Sequence, residues 1–274
     1  MFLGHQGWLL STATTHVLVD PLLTAGFGHG GGLGWVYPPR RVDLAAFPPL
    51  DAVIVTHEHD DHFDLPSLAC IDRAVPVYLS ARSSIAAHEV LGHMGFGVRP
   101  LHADRTLALG DLRYGTFAAD HRGAGQGDEW DVFPFVAHDT EGHGSLLSSI
   151  DVAPPPGMLA AVAQRVPRPG IWAHANNVTS SRFQDLAPAS PARPDDREAL
   201  ARVAVRRRAQ VVAQWGAPVA TLVCGGGWSF GGERAWLDHH AFPLPHEVIG
   251  AALAEVDAEH PVLVPVPGQT ITTQ

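Results

Sequence analysis

Cysteine is scarce in this chain, which has only Cys70 and Cys224 among 274 residues. Two thiols cannot build a disulfide scaffold, and nothing in their number indicates an oxidising compartment. Long apolar runs are absent too, since no uninterrupted stretch reaches the roughly 20 residues that span a bilayer. Residues 1–5 lack the charged start and the long apolar stretch of a signal peptide. We therefore expect a cytoplasmic protein without an integral membrane segment.

Positively charged residues are also fewer than negatively charged ones. Lys and Arg number 18 against 28 Asp and Glu, which gives a net charge of −10 with histidine neutral. Surfaces that bind nucleic acid usually carry a basic stripe, so this balance predicts no nucleic-acid partner. The run Arg206-Arg207-Arg208 is better interpreted as the solvated face of a helix. The partner that we expect is a small-molecule substrate.

Two common catalytic patterns are missing. Residues 26–34 are rich in glycine but lack the Lys-Ser/Thr ending of a phosphate-binding loop. The G-x-S-x-G pattern around a serine nucleophile does not occur. The glycine-rich loop is open to two interpretations, a flexible border of a functional site or a plain surface linker.

The chain is long enough, and at 46% hydrophobic apolar enough, to bury a substantial core. Apolar periodicity and turn residues predict the following order of elements: strands 7–10 and 16–20, helix 66–71, strand 75–79, helix 83–91, four strands between 106 and 150, helix 158–166, strand 171–173, helix 198–215, strand 219–223, helix 246–256 and strand 261–266. This order predicts an α/β fold of two αβ halves packed sheet to sheet with the helices outside. We expect one domain over residues 1–274, with the proline-rich residues 187–197 as a linker segment within it.

The most informative stretch is His57-Glu58-His59-Asp60-Asp61-His62, which reads H-x-H-x-D-H. It follows the apolar, β-branched residues 51–56, so we place it at the C-terminal end of a buried strand. Side chains two apart in an extended backbone point the same way, so His57 and His59 can reach one ion. Asp61 and His62 come after the chain begins to turn and can face a second ion. Imidazole and carboxylate together suit Zn, Fe or Mn rather than Ca or Mg.

This motif and three further stretches resemble the metallo-β-lactamase superfamily. The stretches are residues 2–5 (FLGH), 17–21 (VLVDP) and 48–53 (PPLDAV). Their order is similar to the branch that holds the L-ascorbate phosphate lactonases and the N-acylphosphatidylethanolamine phospholipases D. Residues 35–39 (WVYPP) also resemble the CMP-N-acetylneuraminate hydroxylases, which share the fold but use iron. The resemblance covers residues 1 to 151 and is much weaker beyond. It implies a four-layer αβ/βα sandwich with two divalent metal ions, Zn first and Fe or Mn as alternatives.

The resemblance implies ligands outside the motif as well. The family places a third histidine at the end of a strand, where this chain has His121. It places a bridging carboxylate at the end of a later strand, where this chain has Asp151. The neighbours of that carboxylate differ, because the usual Gly-Asp-Thr is Ile150-Asp151-Val152 here.

One expected ligand is missing. Relatives have a histidine directly after a late strand, but here strand 219–223 runs into Cys224-Gly225-Gly226-Gly227. We expect His240, within Asp238-His239-His240, to supply the ligand instead, with His174 and then Cys224 as the alternatives. His5 is open to two interpretations, since it can line the floor of the site or pack in the core.

These predictions favour a metal-dependent hydrolase that uses activated water on an ester, lactone or phosphodiester. Asp61 would ligate one ion and orient the nucleophile. The leaving group would be protonated by metal-bound water or by a nearby histidine, for which His174 is the candidate. A non-haem iron oxygenase or redox enzyme on the same fold is the first alternative. A catalytically silent metal-binding scaffold is the second, and the intact H-x-H-x-D-H motif argues against it. The substrate is set by loops and cannot be inferred from the fold.

Overall fold

The structure is a computed structural model that describes residues 1–28, 32–39, 42–119, 132–177, 194–242 and 244–273. Its strands are Phe2–Gly4 (β1), Gly7–Ser11 (β2), His16–Val19 (β3), Gly26–Phe27 (β4), Gly34–Val36 (β5), Ala52–Val55 (β6), Val77–Ser80 (β7), Val98–Leu101 (β8), Thr106–Leu109 (β9), Leu112–Thr116 (β10), Phe135–Asp139 (β11), Ser145–Ser148 (β12), Ile171–Ala175 (β13), Ala220–Cys224 (β14), Trp228–Phe230 (β15) and Val262–Leu263 (β16). Its α-helices are Leu65–Ala69 (α1), Ile85–His93 (α2), Met158–Arg165 (α3), Pro194–Gln214 (α4), Asp238–Ala241 (α5) and His246–Val256 (α6). Leu44–Ala46 and Gly232–Leu237 are short 3-10 helices.

The strands form an N-terminal sheet, a C-terminal sheet and a small third sheet. The N-terminal sheet has the order β1-β2-β3-β6-β7-β8 and is parallel from β3 to β8. The C-terminal sheet has the order β16-β14-β13-β12-β11-β10-β9 and is parallel from β12 to β16. The small sheet has the order β15-β5-β4. Strands β6 and β12 both end at the same edge of the sandwich, which is where the functional residues gather.

Alternating side chains divide each sheet between two cores. In β6, Ala52 and Ile54 join the core between the two large sheets, whereas Val53 and Val55 pack on the outside with α1 and α2. In the C-terminal sheet, Leu147 and Trp172 pack outwards against α3 and α4. These four layers, helices–sheet–sheet–helices, confirm the predicted α/β sandwich.

Two segments that the sequence analysis left as loop or linker contain regular structure. The glycine-rich residues 26–34 contribute strands β4 and β5, which pair with β15 into the small sheet. Residues 194–197 of the expected linker already belong to α4, which begins at Pro194 because proline is well tolerated in the first turn of a helix. The rest of that linker lies outside the described residues. In the part of the chain that the structure describes, no helix is both long and apolar enough to cross a membrane.

Candidate metal centre

The H-x-H-x-D-H motif leaves β6 and turns, and its first two histidines converge on one carboxylate. The Nε2 atom of His57 lies 2.9 Å from Nδ1 of His59 and 3.3 Å from Oδ2 of Asp151. These three side chains form one of the groups of described residues whose ligand atoms lie close enough to hold a metal ion. We call it the first ion group. It joins the end of β6 in one sheet to the end of β12 in the other.

A second ion group of described residues consists of His5, His62 and Asp151. The Nε2 atom of His62 lies 2.9 Å from Oδ2 of Asp151 and 3.3 Å from Nε2 of His5. Asp61 stands beside this group, with Oδ2 3.1 Å from His5 and Oδ1 3.8 Å from His62. Asp151 belongs to both groups through the same oxygen, so it lies where a bridging carboxylate is expected.

Hydrogen bonds behind the histidines fix which ring nitrogen faces the cluster. Asp20 can only accept, so Nδ1 of His62, 2.8 Å from Oδ2 of Asp20, carries the proton of that ring. The hydroxyl of Thr56 donates to Asp20 at 2.7 Å and therefore accepts from Nδ1 of His57 at 3.0 Å. In both rings Nε2 is therefore the nitrogen that faces Asp151, and it is the atom that would bind a metal ion.

Further side chains and backbone groups hold the carboxylates of Asp151 and Glu58 in place. The side-chain amides of Gln6 and Asn177 both donate to Oδ1 of Asp151, which leaves Oδ2 for the two histidines. Glu58 accepts from the backbone N–H and, at 2.9 Å, from the hydroxyl of Ser84 at the start of α2. Sequence reasoning did not identify Gln6 or Asn177, because single amides have no recognisable spacing.

The charges in the cluster call for a cation. Burial alone lowers the pKa of His62, but Asp151, Asp61 and Asp20 outweigh it and raise that pKa well above its ordinary value. Burial would raise the pKa of Asp151, yet His62 and His57 hold it well below its usual range. The three carboxylates thus need a compensating positive charge at the centre of the cluster. Divalent ions on nitrogen and oxygen ligands supply that compensation, so the residues fit Zn, Fe or Mn.

The loop after β14, which carries no histidine, holds the backbone of His5 instead. The N–H of Gly225 donates to the carbonyl oxygen of His5 at 2.7 Å, and His246 Nε2 donates to the carbonyl oxygen of Gly225 at 2.5 Å. At Gly227 a Cβ would lie 2.9 Å from the nitrogen and 3.1 Å from Cα of His5. Only glycine permits this approach. The loop therefore sets the position from which His5 reaches the second ion group.

Three residues next to the cluster have left-handed backbone. These are His5 with φ 51°, Asp20 with φ 43° and Ile150 with φ 52°. Such a conformation is a clear outlier for a β-branched residue such as Ile150 and costs roughly 1–3 kcal/mol. Ile150 directly precedes Asp151, so the strained backbone lies at the position that orients the shared carboxylate.

Three further candidates, His174, His240 and Cys224, belong to neither described ion group. His174 shares the outer face of β13 with Trp172, 4.9 Å away between ring centroids, and is in neither described ion group. His240 is buried, with its ring 5.9 Å from that of Trp236, and is also in neither group. Cys224 lies in the core between the sheets, where burial and Asp151 raise the pKa of its thiol and disfavour a thiolate. His121 lies outside the described residues and stays a prediction.

The position of His174 gives a first testable prediction. Burial, Arg207 and His246 lower the pKa of His174 to about 3, so it is neutral near pH 7 and holds no spare proton for a leaving group. We expect His174→Gln to leave the metal content and the pH profile of kcat unchanged. Elemental analysis and a pH–rate series measure both. Loss of an ion, or of the acidic limb of the profile, would restore His174 to the site.

Comparison with known proteins agrees with this architecture. A family profile described as the beta-lactamase superfamily domain matches residues 15–143. No curated protein sequence matches the chain at a significant level. The isothiocyanate hydrolase from Delia radicum gut bacteria has a similar structure, with 18% identity and a TM-score of 0.68 over 99% of this chain and 97% of that chain. A possible metal-dependent hydrolase from Veillonella parvula DSM 2008 gives 15% identity and a TM-score of 0.63 over 99% and 97%.

CmlA, a diiron beta-hydroxylase from Streptomyces venezuelae, is similar too, with 19% identity and a TM-score of 0.62 over 96% of this chain. This chain spans only about half of CmlA, 52% of its length. Identities this low show the fold alone. Residues 15–143 thus match the profile of the beta-lactamase superfamily domain, and the chain has the αβ/βα sandwich fold of the metallo-β-lactamases.

Proposed function

We propose that this chain is a metal-dependent hydrolase with a two-ion centre. The ligands are His57, His59 and Asp151 for the first ion, and His5, Asp61, His62 and Asp151 for the second. The observation that carries the proposal is the shared carboxylate, because Oδ2 of Asp151 lies 3.3 Å from His57 and 2.9 Å from His62. His121 remains the predicted further ligand of the first ion.

Bound divalent ions supply Lewis acidity, which lowers the pKa of water towards neutrality and polarises a substrate oxygen. The residues of the chain would orient the attacking water and exclude solvent from one side of the cluster. Asp61 is 17% exposed, whereas the side chains of His57 and His62 are fully buried, so Asp61 borders the side of the cluster that water and substrate can reach. Its carboxylate can accept a hydrogen bond from the attacking water and orient it. The buried imidazoles close the opposite side to solvent.

The ion ligands support hydrolysis as the proposed reaction class. Since hydrolysis by activated water needs no nucleophilic side chain, esters, lactones and phosphodiesters are the substrates that we propose. The similar fold of the isothiocyanate hydrolase adds isothiocyanates to the panel. The resemblance to the L-ascorbate phosphate lactonase and phospholipase D branch stays a prediction about the substrate.

A second candidate is a non-haem diiron oxygenase. Both described ion groups consist of imidazole and carboxylate without a thiolate, a donor set that suits iron as well as zinc. CmlA, with the same fold, is a diiron enzyme. Elemental analysis of protein purified without added metal separates the candidates, because iron together with substrate-dependent oxygen uptake would favour the oxygenase.

Removal and replacement of the metal test the proposal directly. Chelator-treated protein is expected to lose at least about 99% of its hydrolysis of the best panel substrate, and Zn, Mn or Fe should restore it at about two equivalents per chain. Titration of the stripped protein against activity measures the stoichiometry. Full activity in metal-free protein would contradict a metal-dependent hydrolase, and metal binding without turnover of any panel substrate would favour the silent scaffold.

A further inference from the structure

His5 is held differently from two other histidines of the ion groups. Nδ1 of His57 lies 3.0 Å from the hydroxyl of Thr56. Nδ1 of His62 lies 2.8 Å from the carboxylate of Asp20. Nδ1 of His5 is buried and, within the part of the chain that the structure describes, has no hydrogen-bond partner. Since a metal-binding histidine is usually oriented through its second nitrogen, the position of His5 depends on how its backbone is held.

The backbone of His5 needs such support. His5 has left-handed backbone with φ 51°, a conformation that persists only where the surroundings enforce it. Its carbonyl oxygen accepts the N–H of Gly225 at 2.7 Å. The carbonyl oxygen of Cys224, in the same peptide group, accepts the N–H of Asn176 at 2.6 Å. One peptide group therefore connects the end of β13 to His5.

The next peptide group is held by His246. Its Nε2 atom donates to the carbonyl oxygen of Gly225 at 2.5 Å, and Gly225 is buried, where a carbonyl oxygen without a donor would be costly. A Cβ at position 225 would lie 2.9 Å from the nitrogen of Asn176 and from Oδ1 of Asn177, so a side chain has no room there. The imidazole that supports this loop must therefore come from another element.

Helix α6 gives His246 a fixed position. His246 is the first residue of α6, and Ile249 and Leu253 of the same helix pack with Val223 of β14 in one buried cluster. Burial lowers the pKa of His246, so its ring is neutral near pH 7. Its one N–H is at Nε2, because the carbonyl oxygen of Gly225 can only accept. The ring is thus a neutral donor that a packed helix aims at the loop.

We propose that His246 is a positioning residue for the second ion group. Its ring holds the carbonyl group of Gly225, the N–H of Gly225 holds the backbone of His5, and His5 then reaches the ion without a hydrogen bond at its own Nδ1. His246 itself belongs to neither described ion group. The proposal rests on the proposed role of His5 as a ligand.

Two variants of His246 test the proposal by metal binding rather than by activity. His246→Leu removes the donor, and we expect it to weaken the binding of one of the two ions by about 10- to 100-fold while the other ion binds as before. His246→Gln keeps an N–H donor at the end of the side chain and should restore most of the affinity. Competition for Zn²⁺ with a chromophoric chelator measures both dissociation constants. The absorption of Co²⁺-loaded His246→Leu should change for one equivalent only.

His88→Leu is the matched control. His88 is also partly buried, and its Nε2 atom lies 3.1 Å from the carbonyl oxygen of Ser80 at the end of β7. The control loses an equivalent hydrogen bond in α2 and should bind both ions with unchanged affinity. If His246→Leu does not fold, His246→Asn replaces it, because its amide nitrogen ends short of the Nε2 position.

Three outcomes would overturn the role of His246. These are unchanged affinity for both ions in His246→Leu, equal weakening of both ions in that variant, and the same loss in His88→Leu. The first of these, together with loss of one ion in His5→Ala, would remove His246 and leave the two-ion centre standing. Wild-type protein that binds only one ion would instead contradict the proposed centre itself, before any variant of His246 is compared.

Discussion

Asp151→Asn is expected to cost both ions and at least about a hundredfold in activity, since even a group that only orients a ligand typically contributes 10- to 100-fold. Asparagine keeps the shape and keeps a carbonyl oxygen for the amides of Gln6 and Asn177. Its NH₂ group would then face Nε2 of His57 and of His62, where it donates hydrogen bonds and repels a cation. The variant therefore removes the shared ligand with little change in volume. Elemental analysis and steady-state kinetics measure the two losses.

Asp104→Asn is the control for this variant. Asp104 also has left-handed backbone, with φ 57°, but it is exposed and belongs to neither described ion group. It should retain full metal content and activity. Two ions retained in Asp151→Asn would show that the carboxylate does not bridge, and the two groups would then have to be independent sites.

His5→Ala is expected to lower the metal content from about two ions to about one and to reduce kcat strongly, because a lost ligand weakens an ion site by tenfold or more. The fold should survive, since the small change lies in a turn between β1 and β2. This result distinguishes His5 from His240, which the sequence analysis favoured as the ligand. If His240→Ala loses the ion and His5→Ala keeps it, His240 is the ligand that replaces the late histidine.

Gly227→Ala should reproduce part of the His5→Ala result without changing any ligand. The added methyl group would lie 2.9 Å from the backbone nitrogen of His5, so the packing of the loop against His5 must change. We expect weaker binding of one ion only, which is seen as a lower occupancy at limiting metal. Gly92→Ala is the matched control, because a Cβ at Gly92 meets nothing within 4 Å and alanine favours the helix there. Equal metal occupancy in the two variants would contradict this role of the loop.

The fold could be predicted from the sequence largely because its signals are local. Strand Thr106–Leu109 and helix His246–Val256 begin and end where periodicity and turn residues place them. His57 and His59 of the first ion group could also be predicted from the sequence, because they are two positions apart on an extended backbone. Asp151 required the family resemblance in addition, because its distance from the motif in sequence is long.

The second ion group could not be predicted from the sequence in the same way. The position of His5 depends on a left-handed turn and on the close packing of Gly225 and Gly227, which are tertiary features far away in sequence. The only signals were the FLGH stretch and the absence of a late histidine. His174 shows a different limit of sequence-based prediction. The pattern of a strand indicates which residues share a face of the sheet, but it does not indicate which face packs between the two sheets. Trp172, two positions before it, packs under α3 and α4, and His174 follows the same side.

The shared carboxylate also has a mechanical consequence. His5, His57 and His62 follow strands of the N-terminal sheet or connect them, whereas Asp151 follows a strand of the C-terminal sheet, so the proposed ions would link the two sheets. Since the unfolded chain offers no such arrangement, the binding energy adds to the resistance of the whole domain to unfolding, by about 4 kcal/mol at a free-metal concentration a thousand times Kd. Metal supply would then govern how long this protein persists as well as how fast it works.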